Sequence, residues 1–185
     1  GRAGSVWLAV HIGLEEYRDI KRIYKRDADY DTFRREALVL KELRHPGIPM
    51  IYDLEEDSEF FYLIEEYLEG YSLYALIVNQ GPIQEAEAVR YGMQVCGLVA
   101  YMHSACEIPI LHLDLQPNNL IICNGTVKLI DFDHAAGCRW ANTAPKRFGT
   151  VGCAAPEQYA SDRMLDQRTD IYAIGAVLRF LTAGT

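Results

Sequence analysis

The sequence predicts an α+β fold, with strands concentrated before residue 68 and helices after residue 69. Three observations predict it. Residues 17–24 (YRDIKRIY) alternate with the two-residue period of a strand. Residues 84–105 and 170–182 place apolar side chains near a helical period. Between those helices, Asn124-Gly125 separates two short apolar runs, 120–123 and 126–130. Asn-Gly in that setting is the strongest short hairpin signal, because both turn residues must take positive φ. With 185 residues, half of them hydrophobic, the chain has enough material for one two-lobed domain or two small ones.

In chain order, residues 1–9 (GRAGSVWLA) carry Gly1 and Gly4, whose lack of Cβ lets backbone amides approach a phosphate. In the strand at 17–24, Tyr17, Asp19, Lys21 and Ile23 share one face. Residues 31–44 predict a helix with Asp29 or Asp31 as its N-cap. Its apolar stripe is Phe33, Ala37, Leu40 and Leu43, and Glu36 falls within it. A carboxylate on a packing face requires a partner, because burying it unpaired is costly. His45-Pro46-Gly47-Ile48-Pro49 ends the helix, since a residue before proline avoids helical φ/ψ. Residues 50–55 and 59–67 predict a hairpin around Glu56-Asp57-Ser58.

A short helix is expected over 73–78, stopped by Asn79-Gln80-Gly81-Pro82. The long helix over 84–105 is expected to pack through Val89, Met93, Cys96, Val99, Ala100 and Met102. Residues 131–157 read as a long connection, and a loop of that length in a compact domain is usually functional. The last helix, 170–182, is apolar through Ile171, Ile174, Val177, Leu178 and Leu181.

The chemistry concentrates in residues 110–133, ILHLDLQPNNLIICNGTVKLIDFD. Asp114 and Asn119 precede the first strand of the hairpin and Asp131 follows the second, so the hairpin sets them side by side. Two carboxylates and an amide give hard oxygen ligation suited to Mg²⁺ with phosphates, with one carboxylate left to act on a hydroxyl. HLDLQPNN followed by IDFD resembles the catalytic loop and metal-binding element of the eukaryotic-like protein kinases. Further landmarks follow in order. GRAGSV resembles the latter part of the glycine-rich loop, and Lys21, fifteen positions after Val6, matches the strand lysine. HPGIP resembles the loop found in bacterial serine/threonine kinases, and Glu66-Tyr67-Leu68-Glu69-Gly70 resembles the hinge between lobes. Tyr101-Met102-His103-Ser104 and the stretch from Gly149-Thr150 to Ala155-Pro156-Glu157 match a helix end and the substrate-docking segment of the family.

The resemblance implies a two-lobed protein-kinase-like fold, with a small antiparallel β lobe and one helix over 1–68 and a mainly helical lobe over 69–185. It implies Asp114 as the catalytic carboxylate, Asn119 and Asp131 as metal ligands, and Lys21, paired with Glu36, on the α- and β-phosphates. Gly1 and Gly4 would approach the phosphates, Val6 and Ile121 would contact the base, and backbone groups of Glu66 and Leu68 would bind the adenine edge. Thr150 would lie near the catalytic aspartate, and Thr143 is the better phosphorylation candidate of the loop. Asp170 would bond back to the catalytic-loop backbone, while His103 and His112 read as structural. The chain is expected to be a trimmed fragment that lacks the first glycine of its loop and stops after the F helix. That leaves Glu157 without the arginine that later helices supply, and an apolar surface open to self-association.

Five positions depart from the family pattern. Leu113 replaces the arginine that meets activation-loop phosphate, so phosphorylation cannot switch this loop by the usual route. Gln116 replaces the lysine that stabilises the transferred phosphoryl group, and a neutral amide does so less well. Asp133 replaces the DFG glycine and adds negative charge near the metal ligands. Asp19 stands where alanine usually faces adenine, and Glu65 falls at the gatekeeper position; both are expected to compete with Glu36 for Lys21.

Bulk properties narrow the function further. Net charge is −8 and no basic stripe is present, which argues against a nucleic-acid partner. No membrane-length apolar run or signal peptide occurs within the chain. The five cysteines fit no zinc spacing, and Cys96 and Cys123 read as core thiols, which fits a reducing cytoplasmic setting. The leading expectation is ATP- and Mg²⁺-dependent phosphorylation of serine or threonine in protein substrates. A pseudokinase that binds nucleotide without turnover, and a small-molecule phosphotransferase of aminoglycoside- or choline-kinase type, are the alternatives.

Overall fold

Residues 4–28, 30–142, 148–160 and 162–185 are described by the structure, a computed structural model. The first part is built on four antiparallel strands, β1 (Gly4–His11), β2 (Glu16–Tyr24), β3 (Ile51–Glu56) and β4 (Phe60–Glu66), in the order β1-β2-β4-β3. The register places Val6 opposite Lys21, Lys21 opposite Leu63, and Asp19 opposite Glu65. Paired residues project to the same side of a sheet, so these side chains share the face toward the second half of the chain. A bulge interrupts the β3–β4 pairing between Ile51 and Asp53. The β2–β4 ladder runs unbroken, so Glu65 keeps the facing that its position predicts.

Helix α1 (Tyr30–Glu42) lies on that sheet. Phe33, Ala37, Leu40 and Leu43 are buried as the stripe requires, and Phe33 stacks on Phe61 with ring centroids 5.0 Å apart. Asp31 sits in the first turn rather than at the N-cap, where its charge complements the helix dipole; Asp29 lies outside the described residues.

The second part is mainly helical. Two-residue strand β5 (Tyr71–Ser72) leads into α2 (Leu73–Gln80), where Ser72 Oγ accepts from the Ala75 N–H and Gly81 closes the helix with φ of 80°. Helix α3 (Glu85–Ser104) packs on α5 (Gln167–Ala183), the latter capped by Asp166. Their contact is close enough that a Cβ on Gly92 would come within 2.6 Å of Leu178 Cδ2. The buried face of α3 is Ala88, Tyr91, Gly92, Val95, Leu98, Val99 and Met102. Val89, Met93, Cys96 and Ala100, expected inside, are exposed, and Cys123 is only half-buried. The helix is apolar around much of its circumference, so periodicity alone selected a face rotated from the true one.

The hairpin β7 (Leu120–Cys123) and β8 (Thr126–Leu129) forms as expected, with φ of 49° at Asn124 and 78° at Gly125. Among the described residues of 131–157, short regular elements take the place of a plain connection. Strand β9 (Ala136–Gly137) pairs with β6 (Ile110–Leu111), and a single helical turn, α4 (Cys138–Ala141), follows. Two-residue strands leave no periodicity to read. Among the described residues, no helix is long and apolar enough to cross a membrane.

Asp170 on α5 fixes the segment that follows β6. It is 1% exposed, and its Oδ1 accepts from the Leu113 N–H at 2.9 Å. Its Oδ2 accepts from the His112 N–H at 3.0 Å and meets His103 Nε2 at 2.9 Å. Asp170→Ala leaves two backbone donors and an imidazole without an acceptor. The expected cost is about 3 kcal/mol of unfolding free energy, measured by urea denaturation against the surface control Thr182→Ala.

Candidate active site

Two strained backbones mark the site. Leu113 has φ of 66° and Asp131 φ of 63°, in the left-handed region that side chains other than glycine rarely occupy. Neighbours over-determine both. Leu113 donates its N–H to Asp170, and its carbonyl accepts from Gln158 Nε2 at 2.8 Å. Asp131 is flanked by Ile130, whose N–H donates to the Asn119 carbonyl at 2.9 Å, and by Phe132, whose N–H donates to Glu36 Oε1 at 3.2 Å. Phe132 is 1% exposed and meets His112 edge-on at 5.0 Å.

His112 is fully buried, and burial holds its pKa below the ordinary histidine value. Its ring therefore stays neutral. Nδ1 accepts from the Asp114 N–H at 3.3 Å and Nε2–H donates to the Ile130 carbonyl at 3.3 Å, which ties the loop to the strand leading to Asp131. Both histidines act structurally, as expected.

The carboxylate of Asp114 collects three side chains. Thr150 Oγ1 donates to Oδ1 at 2.8 Å, while Gln116 Nε2 and Asn119 Nδ2 donate to Oδ2 at 2.9 and 3.3 Å. Asn119 Nδ2 also donates to the Asp114 carbonyl at 3.0 Å. The loop residues singled out by sequence thus converge on one carboxylate, contributed by the turn before β7 and the segment after Phe148.

Lys21 forms the second centre. Its Nζ donates to Glu36 Oε1 and Oε2 at 3.0 Å each, to Asp131 Oδ1 at 3.1 Å and to Asp133 Oδ1 at 2.6 Å. The expected pair of Lys21 with Glu36 is present. The expected competition from Asp19 and Glu65 is not; Asp131 and Asp133 share the ammonium instead, because the turn after β8 carries both toward β2. Burial opposes the Lys21 charge, but Glu36, Asp131 and Asp133 outweigh it and raise its pKa. Burial raises Glu36 against the pull of Lys21, and a hydrogen bond with Asp133 adds to the rise. Among the described residues, Glu36, Asp131 and Asp133 are the carboxylates close enough together to hold a metal ion.

The remaining expected positions are spread over several elements. Val6 stands across the ladder from Lys21 and is exposed, Gly4 begins β1, and Gly1 lies outside the described residues, as does Thr143. Glu66 donates its N–H to the Met50 carbonyl, and its carboxylate binds Lys128 at 2.9 Å. Burial raises Asp19, and a backbone hydrogen bond from Leu68 opposes the shift. Ile121 is half-buried in β7.

Sequence reasoning missed two residues. Gln158 is 1% exposed and bridges Leu113, Phe148 and Ala155, yet an isolated glutamine after Pro156 gives no signal. Thr169 is the second: its Oγ1 donates to Glu157 Oε1 at 2.9 Å, a partner for the glutamate other than the arginine of the family pattern. Leu113 packs with Leu111, Ala141 and Leu165 in a small second core, joined by Phe148 and Cys138.

The sequence matches the protein kinase domain across residues 1–185. The chain belongs to the protein kinase family. This kinase chain is 34% identical over 191 residues to serine/threonine-protein kinase PrkC of Bacillus subtilis, covering 100% of the chain and 29% of that protein. It is 31% identical over 189 residues to calcium-dependent protein kinase 5 of Plasmodium falciparum, covering 100% of the chain and 32% of that protein. It is 32% identical over 196 residues to an Aurora kinase of Eremothecium gossypii, covering 100% of the chain and 51% of that protein. The kinase chain therefore spans about a third to a half of the relatives it matches. Their mixed origins give no support for a bacterial lineage, whatever the form of the loop at His45.

Burial pushes Glu65 up to about 7 from an ordinary 4.5; Lys21 opposes the shift, and Asp131, Asp19 and Asp133 add to it. A carboxyl raised in the fold holds its proton more tightly than in the unfolded chain. Its contribution to stability is fullest below about 4.5 and is lost as pH rises through about 7. Glu65→Gln is expected to flatten that slope and raise the melting temperature by a few degrees at mildly alkaline pH, checked by thermal denaturation across the window.

Proposed function

We propose that this chain transfers the terminal phosphoryl group of ATP, with Mg²⁺, to serine or threonine hydroxyls of protein substrates. The observation that carries the reading is the Asp114 carboxylate, held by Thr150, Gln116 and Asn119 within a loop anchored to Asp170. The relatives described as serine/threonine-protein kinases support the same acceptor class.

The donor set fits the proposed cofactors. Asp131 offers a carboxylate, and Asn119 directs its amide nitrogen to Asp114, which leaves its carbonyl oxygen as the atom to present to a cation. Bound Mg²⁺ supplies neutralisation of charge on the phosphate oxygens. Lys21 binds the α- and β-phosphates while Glu36 holds it in place. Gly1, Gly4 and Val6 cover the nucleotide, Ile121 supports the base from below, and backbone groups of Glu66 and Leu68 bind its edge, with the lobes meeting between residues 68 and 69. Asp114 orients the acceptor hydroxyl and takes its proton as the oxygen attacks. Gln116, at the position facing the transferred group, gives a dipole in place of a cation.

Nucleotide binding without turnover is the second reading, favoured by the engagement of Lys21 with Asp131 and Asp133. Phosphate transfer from labelled ATP to a basic protein acceptor separates the two. Asp114→Asn and Asp131→Asn are each expected to lower transfer by about a thousandfold with folding intact. Label on a small alcohol but on no protein would move the chain to the small-molecule class.

Gln116→Lys restores a full positive charge beside the transferred group. Turnover is expected to rise about tenfold with little change in KM, measured by steady-state kinetics.

A further inference from the structure

The lysine proposed above to hold the phosphates is already engaged by carboxylates of this chain. Asp133 Oδ1 accepts the shortest of the four Lys21 hydrogen bonds, at 2.6 Å, and its side chain is only 12% exposed. The Asp133 carboxylate also lies within 4.8 Å of those of Glu36 and Asp131. Of the partners of Lys21, Glu36 positions the ammonium and Asp131 is assigned to the cation, so Asp133 has no task in the proposed chemistry.

A buried ammonium crowded by three carboxylates has little left to offer a phosphate. The same three carboxylates repel a polyphosphate that approaches Lys21. We propose that Asp133 occupies the phosphate end of the nucleotide cleft from within, and that its hold on Lys21 sets nucleotide affinity. Its carboxylate acts as a built-in competitor, displaced from the lysine when nucleotide binds. The inference rests on the nucleotide-binding role assigned to Lys21.

The test titrates ATP with Mg²⁺ into the full chain and into Asp133→Ala and Asp133→Asn by calorimetry. Adenosine, which carries no phosphate, is titrated in parallel. Asp133→Ala is expected to bind ATP about tenfold tighter and adenosine with unchanged affinity, because the competition acts on the phosphates alone. Asp133→Asn keeps an acceptor for Lys21 but loses the charge, and is expected to fall between the parent and Asp133→Ala. A folded Asp133→Ala that binds ATP no tighter than the parent, or that tightens adenosine by the same factor, would overturn the inference and leave the proposed function standing. Neither ATP nor adenosine bound by the parent or either variant would overturn both.

Discussion

One ammonium group ties the two halves of this molecule together. Lys21 reaches from β2 to Glu36 on α1 and to Asp131 and Asp133 after β8, so three separate elements meet on a single charge. Its burial is tolerable only because carboxylates surround it, and theirs only because it is there. The stripe of α1, the register of β2 and the turn after β8 must all be correct for that cluster to close. The cluster is thus both the main electrostatic constraint on the fold and the centre of the proposed chemistry.

Asp170 plays the matching part in the second half. It meets backbone donors that no strand partner satisfies, and so holds Leu113 in a conformation its side chain disfavours. Gln158 holds the carbonyl of the same residue. Strain at Leu113 is sustained by two buried polar side chains brought from elsewhere in the sequence, and Asp114 follows directly from it.

Much of this was legible in the chain because the signals were local. Asn124-Gly125 dictated its turn, and with it the adjacency of Asn119 and Asp131. Glu36 within an apolar stripe demanded a cation, and Lys21 supplied it. What escaped reading depended on distance or on weak patterns. The face of α3 was misjudged because Val89 and Met93 look as apolar as Val95 and Leu98, and only the position of α5 decides between them. Asp133 was read as added charge near a metal ligand; its grip on Lys21 depends on a rotamer and a turn that composition does not encode. Gln158 and Thr169 bind groups far along the chain, and neither belongs to a pattern that spacing could reveal.

Leu113 carries a further consequence. Where an arginine would wait for a phosphate, this chain places an apolar side chain 3% exposed, packed with Leu111, Ala141 and Leu165 and flanked by Phe148. At this point the chain on either side, Ala141 and Phe148, meets the loop that carries Asp114 through exclusion of water as well as through the hydrogen bonds of Thr150 and Gln158. The apolar part of this contact is not screened as an ion pair is, and it loosens on cooling, as apolar contacts do. Temperature is thus a variable to which this apolar part of the junction responds.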